Sequence, residues 1–321
     1  MTSLYDTCRA LRSLLRQPLF TLVTVLTLAI CTGANTAVFS IVDGVLLKPL
    51  PYPKPDELVA VWHSAPGAGL AGAGEQLRTS ASMYFTYAEH NRTLQSIGVW
   101  SRASVNVTGA GEPEEVRAVQ VSDGVFQTLG VPPKIGGWFA PGDYAVGATP
   151  KAILSYEYWQ RRFGGDAAVV GRTLTGNSVT AVIAGVMPQG FAIGDTRADI
   201  IIPLRFDRSR LRLPTFDYYG VARLKPGVTL EQANADIARM IPIWLDSWSP
   251  YPGGDKKIYT DVWRVGPALT RLKNDVIGNA GGVLWVVMGT IAAVLLIACA
   301  NVTNLLLVRA QIGRASCRER V

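Results

Sequence analysis

Residues 19–42 run for 24 positions without a charged side chain, and residues 276–308 for 33 more. An α-helix needs roughly 20 consecutive apolar residues to cross ~30 Å of hydrocarbon. The two runs therefore predict two membrane-spanning helices, with residues 43–275 forming a 233-residue loop on one side. The class follows before any motif is consulted: an integral membrane protein with a large extramembranous domain. A hydrophobic content of 49% agrees, being high for a soluble chain of 321 residues.

The loop is long enough for one or two domains of ordinary size. It carries seven of the eight tryptophans, so it can build an apolar core. All four cysteines lie outside it (Cys8, Cys31, Cys299 and Cys317), so no disulfide framework supports it. The net charge of +7 is spread along the chain, without the clustered basic stripe of a nucleic-acid binder.

Before the first run stand Arg9, Arg12 and Arg16 against the single acid Asp6. By the positive-inside bias this end is predicted to stay in the cytoplasm, with the loop exported. A cleaved signal peptide has a similar basic start, but its apolar region is only about 7–15 residues. The run is longer, so an uncleaved anchor is the better reading. Within residues 1–18, Leu4, Cys8, Leu11 and Leu15 share one helical face, and Arg9, Arg12 and Arg16 another. This pattern predicts an amphipathic helix on the inner leaflet, a topology anchor or a docking element for a cytoplasmic partner. Ser3 with Asp6 gives a modest start signal for it, and Pro18 ends or kinks it.

Inside the first run, Ala29, Gly33, Thr36 and Ser40 fall on one stripe of a helix; in the second, Gly289, Ala293, Ala300 and Asn304 do the same. Small residues allow close backbone approach, and Thr or Asn can hydrogen-bond across it, so both helices are expected to pack against helical neighbours. Asn35, Asn301 and Asn304 are read as packing groups, since no ionisable residue accompanies them.

In the loop, Lys48-Pro-Leu-Pro-Tyr-Pro-Lys-Pro55 predicts a rigid, extended connection. Residues 58–62 read as a strand, 66–74 as a Gly/Ala-rich loop, 82–95 as helical, and 104–107 and 116–121 as strands. Residues 156–163 read as a helix, 169–187 as a hairpin around Gly176-Asn177, and 230–245 as an amphipathic helix. The interleaving predicts a mixed α+β domain of two lobes.

Catalytic signatures are absent. A literal G-x-G-x-x-G at Gly67, Gly69 and Gly72 follows Pro66, has no apolar helix start after it and falls in the exported loop, so it reads as a mobile loop and not as a dinucleotide site. The two histidines, His63 and His90, carry no metal-ligand spacing. There is no nucleophile elbow and no G-x-x-x-x-G-K-[ST], so the chain is read as a non-enzyme with no cofactor, no metal and no nucleotide site. ATP-driven work would have to come from a partner.

Several segments resemble a known family. Leu11-Arg-Ser-Leu-Leu-Arg-Gln-Pro18, Leu26-Thr-Leu-Ala, Gly33-Ala-Asn-Thr-Ala-Val-Phe-Ser40 and Val45-Leu-Leu-Lys-Pro-Leu-Pro-Tyr-Pro53 resemble the start of MacB/FtsX-type ABC transporter permeases, notably the long permease group abundant in Acidobacteria. Leu154-Ser-Tyr-Glu-Tyr-Trp-Gln-Arg-Arg-Phe-Gly164, Gly185-Val-Met-Pro-Gln-Gly-Phe191 and Leu296-Ile-Ala-Cys-Ala-Asn-Val-Thr-Asn-Leu-Leu-Leu-Val-Arg309 resemble the same family. The resemblance implies a MacB-like periplasmic core domain (residues 43–275) between transmembrane helices 1 (19–42) and 2 (276–308), with two more helices beyond. It implies a bacterial inner-membrane location with the N-terminus cytoplasmic. It further implies dimerisation with a second permease copy, a partner ABC ATPase, contact with membrane lipid and a periplasmic adaptor. The function implied is coupling of ATP hydrolysis to periplasmic movement for export or efflux. The alternative is a membrane-anchored periplasmic sensor or binding domain without an ATPase. Residues 311–321 depart from the basic coupling segment of the family and resemble a translated sequencing adapter, so a truncation near residue 310 is expected.

Overall fold

The structure, a computed structural model, describes residues 18–69, 76–108, 112–213, 215–278 and 280–318. The expected amphipathic helix, with Arg9, Arg12 and Arg16, lies outside the described residues. The chain forms two compact units, Pro49–Val276 and the pair Met1–Lys48 with Ile277–Val321. The second contains α1 (Pro18–Val42), which ends in a wide turn over Asp43–Leu47 closed by Lys48 N–H donating to the Asp43 carbonyl at 2.9 Å.

The unit Pro49–Val276 opens with β1 (Leu58–Val61), β2 (His63–Ser64) and β3 (Gln76–Leu77), followed by α2 (Ala81–His90). Ser80 caps α2 by accepting from Met83 N–H at 3.0 Å. The helical pattern expected to residue 95 stops at His90. There Asn91 donates to the Tyr87 carbonyl (2.8 Å) and accepts from Leu94 N–H (3.1 Å), turning the chain into the 15-residue strand β4 (Leu94–Thr108). An Asn that satisfies a helix end with its own side chain is a strong stop signal. β5 (Glu114–Val121), α3 (Val125–Leu129), β6 (Ile135–Gly136) and β7 (Lys151–Leu154) follow.

Next comes α4 (Tyr156–Phe163), bounded as the sequence predicts by the Ser155 cap and by Gly164 in the left-handed region. β8 (Thr173–Gly176) and β9 (Val179–Val186) form the expected hairpin, but its turn residues are Asn177 (φ 49°) and Ser178 (φ 64°), one place later than predicted. Gly176 lies within the strand instead, because a Cβ there would come to 2.3 Å from Val105 Cγ1. β10 (Ile200–Pro203), β11 (Tyr219–Leu224), α5 (Leu230–Ser247), β12 (Gly266–Pro267), β13 (Thr270–Arg271) and α6 (Leu272–Ile277) complete the unit's elements. A reciprocal box starts α5: Gln232 N–H donates to Thr229 Oγ1, and Thr229 N–H to Gln232 Oε1.

One mixed sheet runs through the unit in the order β13-β1-β11-β4-β5-β10-β7-β9-β6, beside a small sheet β12-β2-β3. Where two lobes are expected from sequence, residues 49–276 form one compact unit around this sheet. β8 pairs with both β9 and the far end of β4 (Val107 opposite Gly176), so β4, β5, β10, β7, β9 and β8 close into a ring of six strands. Alternation along β4 sets Trp100 on the face opposite Ile97 and Val99, and position along the strand separates these from Val105 and Val107. Ile97 and Val99 pack with α2 and α5, Trp100 with Phe126 and Leu129 of α3, and Val105 and Val107 with the ring's interior. In the first core, Trp244 and Trp248 donate to Ser82 Oγ (2.8 Å) and Thr86 Oγ1 (2.9 Å), pinning α5 to α2.

In the other unit the second long helix, α7 (Ala280–Arg318), begins later and ends later than the uncharged run 276–308. Gly278, at φ +50°, breaks it from α6, a conformation a helix cannot continue through. Thr21–Val42 and Gly281–Asn304 are long and apolar enough to cross a membrane. α1 and α7 pack along each other. The partly or fully covered positions on α1 include Leu28, Cys31, Asn35, Val38 and Val42; on α7 they include Leu284, Met288, Ile291, Leu295 and Ala298. Both sets alternate by three and four residues, the repeat that keeps a seam facing a partner helix.

Candidate functional site

The sequence carries no catalytic signature, and the densest buried polar contacts of the outer unit, Pro49–Val276, lie near the connections at its two ends. Both connections meet the same sheet edge. β1, which follows the incoming connection, pairs directly with β13, which precedes the outgoing one: Val59 lies opposite Arg271 and Ala60 opposite Thr270. Arg271 Nη1 also donates to the Asp56 carbonyl.

The incoming connection is clamped by Arg223 of β11, which is only 6% exposed. Its Nε and Nη2 donate to the Thr128 carbonyl at the end of α3 (3.0 and 2.8 Å). Nη2 also donates to the Pro53 carbonyl (3.0 Å), and Nη1 to the Lys54 carbonyl (3.1 Å) and Glu57 Oε2 (3.2 Å). A planar guanidinium can serve four acceptors at once, which an ammonium on a single atom cannot arrange. Lys54 sits at φ 46°, in the left-handed region that a non-glycine residue adopts at a cost of about 1–2 kcal/mol. Its carbonyl is thereby held for Arg223.

Tyr52 fixes the same connection a turn earlier. Its hydroxyl donates to the Ala192 carbonyl (2.9 Å) and accepts from Gly194 N–H (3.2 Å). Burial pushes this phenol up to about 12, so it remains a donor at any physiological pH. On the outgoing side, Trp62 Nε1 donates to Asp275 Oδ1 at 2.6 Å. Partial burial holds the Asp275 carboxyl above its usual range; the Trp62 bond opposes the shift and Asp195 adds to it. Trp62, Trp100 and Tyr219 line a cavity of about 190 Å3 here, with Trp100 stacked on Tyr219 at 4.5 Å. Arg102 pairs with both oxygens of Asp195 at 3.1 Å.

None of these contacts sets a nucleophile beside a base, and among the described residues no three His, Cys, Asp or Glu side chains gather as a metal site. What the arrangement does is hold both chain connections: β1 and β13 pair with each other, and Arg223 and Tyr52 fix the incoming segment by partly buried polar bonds.

The residues singled out by sequence lie elsewhere. Ala29, Gly33, Thr36 and Ser40 on α1, and Gly289, Ala293, Ala300 and Asn304 on α7, are exposed, on faces turned away from the observed seam. A Cβ at Gly33 or Gly289 would meet nothing within 4 Å. Thr36 and Ser40 bond back onto their own helix, to the Thr32 and Thr36 carbonyls. Asn35 is in the seam, whereas Asn301 and Asn304 are exposed. Gly67 of the literal glycine motif is fixed by packing, since a Cβ would come to 1.6 Å from the Val262 carbonyl; Gly72 is outside the described residues. His63 is buried with Nε2 2.8 Å from the Tyr87 hydroxyl. Sequence reasoning missed Arg223, although an arginine inside the apolar run Tyr219–Leu224 was the available signal.

The profile of the MacB-like periplasmic core domain family matches residues 21–240. Among solved structures, a domain of a candidate permease protein from Porphyromonas gingivalis is similar with a TM-score of 0.50 at 16% identity, covering 68% of this chain and 91% of that one. The extracellular domain of the noncanonic ABC-type transporter YknZ from Gram-positive bacteria gives 0.41 at 11% identity, covering 57% and 93%. The periplasmic region of MacB from Actinobacillus actinomycetemcomitans gives 0.47 at 10% identity, covering 70% and 92%. No curated protein matches the sequence.

Proposed function

The chain belongs to the MacB-like periplasmic core domain family of ABC transporter permeases, and on that premise we propose that it is the permease subunit that relays movement of a partner ATPase to the outer unit. The observation that carries the reading is that the two connections are fixed side by side, by the β1–β13 pairing at one sheet edge and by Arg223 and Tyr52 holding the incoming segment. A rigid attachment of both connections moves the whole sheet when the helices shift, whereas a loose attachment would absorb the shift in the loop.

In this proposal the N-terminus and Arg9, Arg12 and Arg16 face the cytoplasm, against the inner leaflet and the ATPase. The outer unit is periplasmic, a second permease copy completes the membrane domain, and a periplasmic adaptor can receive the movement. The small-residue faces of α1 and α7 are left for the remaining helices. In this proposal hydrolysis belongs to the partner, since the sequence carries no G-x-x-x-x-G-K-[ST].

The test is made on the full-length permease with its ATPase in lipid nanodiscs, with a spin label replacing Val146, which is 65% exposed, in each copy. ATP with vanadate is expected to shift the label–label distance by several ångströms, and only when the ATPase is present. An unchanged distance in a complex that hydrolyses ATP refutes the relay. Failure of any P-loop ATPase to co-purify favours the anchored-sensor reading.

A further inference from the structure

The six-stranded ring carries a cavity that the permease reading does not use. It has a volume of about 210 Å3, and each of five ring strands contributes an apolar wall: Val105 of β4, Ala152 of β7, Leu174 of β8, Ala181 of β9 and Ile200 of β10. Except for Ala181, which packs against them, these side chains belong to the buried core of the ring. Tyr158 and Trp159 of α4 fill another part of that core. The space is left by small residues, Ala152 and Ala181, where larger side chains would close it. It opens to solvent beside Val179, which is 51% exposed.

A volume of 210 Å3 corresponds to about seven waters at ~30 Å3 each. Apolar walls of this kind hold water poorly, and a 150 Å3 apolar cavity is known to admit benzene. The mouth of a β-ring is also a common place for a small-molecule site. Room for one short alkyl chain follows from the volume; room for paired acyl chains does not.

The rim decides the head group. Lys151 is neutralised by Asp143, Nζ to Oδ1 2.9 Å. Arg205 differs: its Nε donates to the Asp143 main-chain carbonyl (3.1 Å) and its Nη2 to the Thr149 carbonyl (2.9 Å). It has no carboxylate partner among the described residues. Two carbonyls thus hold the guanidinium in place at the rim without cancelling its charge. An anion arriving there meets a positioned cation with N–H donors still free.

We propose that this cavity binds a single short alkyl chain with an anionic head, the chain seated among Val105, Leu174 and Ile200 and the head on Arg205. Neither the ATPase nor transport enters the argument, so the test is made on the chain alone, and its failure leaves the permease reading intact.

The experiment is calorimetric titration of the full chain in lipid nanodiscs with hexanoate, hexan-1-ol and hexylammonium, each corrected with empty nanodiscs. Hexanoate is expected to bind saturably and at least tenfold more tightly than either analogue. Arg205→Gln should bring hexanoate down to the level of hexan-1-ol while leaving hexan-1-ol unchanged. Ala181→Phe, which places a ring in the cavity, should abolish binding of all three; unchanged thermal unfolding of this variant shows that the fold is kept, and Arg205→Gln carries the test if it is not. Equal affinity for hexanoate and hexylammonium, hexanoate binding unaltered by Arg205→Gln, or no saturable hexanoate binding would each overturn the proposal.

Discussion

Replacing Arg223 with Met keeps the length and apolar stem of the side chain but removes every donor of the clamp. Glu57, about a quarter exposed, would keep only its 3.5 Å pair with the exposed Lys54 ammonium, and the carbonyls of Thr128, Pro53 and Lys54 would lose their partners. Pro53 and Lys54 are exposed, so water can replace the guanidinium at their carbonyls. Thr128 is fully buried and water cannot. Stranding a buried carbonyl costs about 1–3 kcal/mol, and the loss of a partly exposed pair that Lys54 still compensates adds less than the roughly 3–5 kcal/mol of a fully buried one. With partial rehydration, a loss of about 3 kcal/mol is expected for Arg223→Met, roughly a hundredfold shift in the unfolding equilibrium. Arg223→Lys should recover only part of it, because one ammonium cannot reach Thr128 and Glu57 together. The assay is urea unfolding of the full chain in nonionic detergent, followed by tryptophan fluorescence, seven of the eight indoles lying in the outer unit. A midpoint shift worth less than about 1 kcal/mol at unchanged slope would show that Arg223 does not anchor the connection.

Two further outcomes are expected from the same unfolding measurement. Burial lowers His63 from 6.5 to about 4, so its neutral form is the one that folds; the stability it allows is complete above pH 6.5 and is lost as pH falls towards 4, by up to about 3 kcal/mol. The difference in stability between wild type and His63→Gln should therefore change over pH 6.5 to 4, and a flat difference refutes the assignment. Gly98→Ala should destabilise by about 1–3 kcal/mol, since the added Cβ would lie 2.5 Å from the Val125 main-chain nitrogen and α3 would have to move; a midpoint equal to wild type would show that α3 yields freely.

The membrane class was legible because charge-free runs are a one-dimensional signal: length and absence of charge suffice. Tyr156–Phe163 was legible for a similar reason, since Ser155 and Gly164 bound it within its own sequence. The start of β4 was not, because Asn91 ends α2 through side-chain bonds that any polar residue at a helix end could have declined to make. Ring closure through Val107 and Gly176 pairs residues far apart in sequence, and no local pattern encodes such a partner. The small-residue stripes on α1 and α7 showed that close packing is possible there, without saying against what; the observed seam uses larger residues at three-and-four spacing instead. Arg223 was passed over because a single charge in a strand reads as a solvent-facing position until β11 is found in the sheet's interior, between β1 and β4.

The pairing of β1 with β13 has a consequence for modularity. Neighbouring strands lie only about 5 Å apart, so the two ends of the outer unit are adjacent, as in domains that tolerate insertion into a host. A unit with such ends behaves as a cassette: an outer domain of different size and shape could replace it between the same two helices, provided its own first and last strands pair. Members of one permease lineage could thus acquire new outer surfaces without redesigning the membrane part, and a chimera exchanging residues 49–276 as a block is the natural form in which to build one.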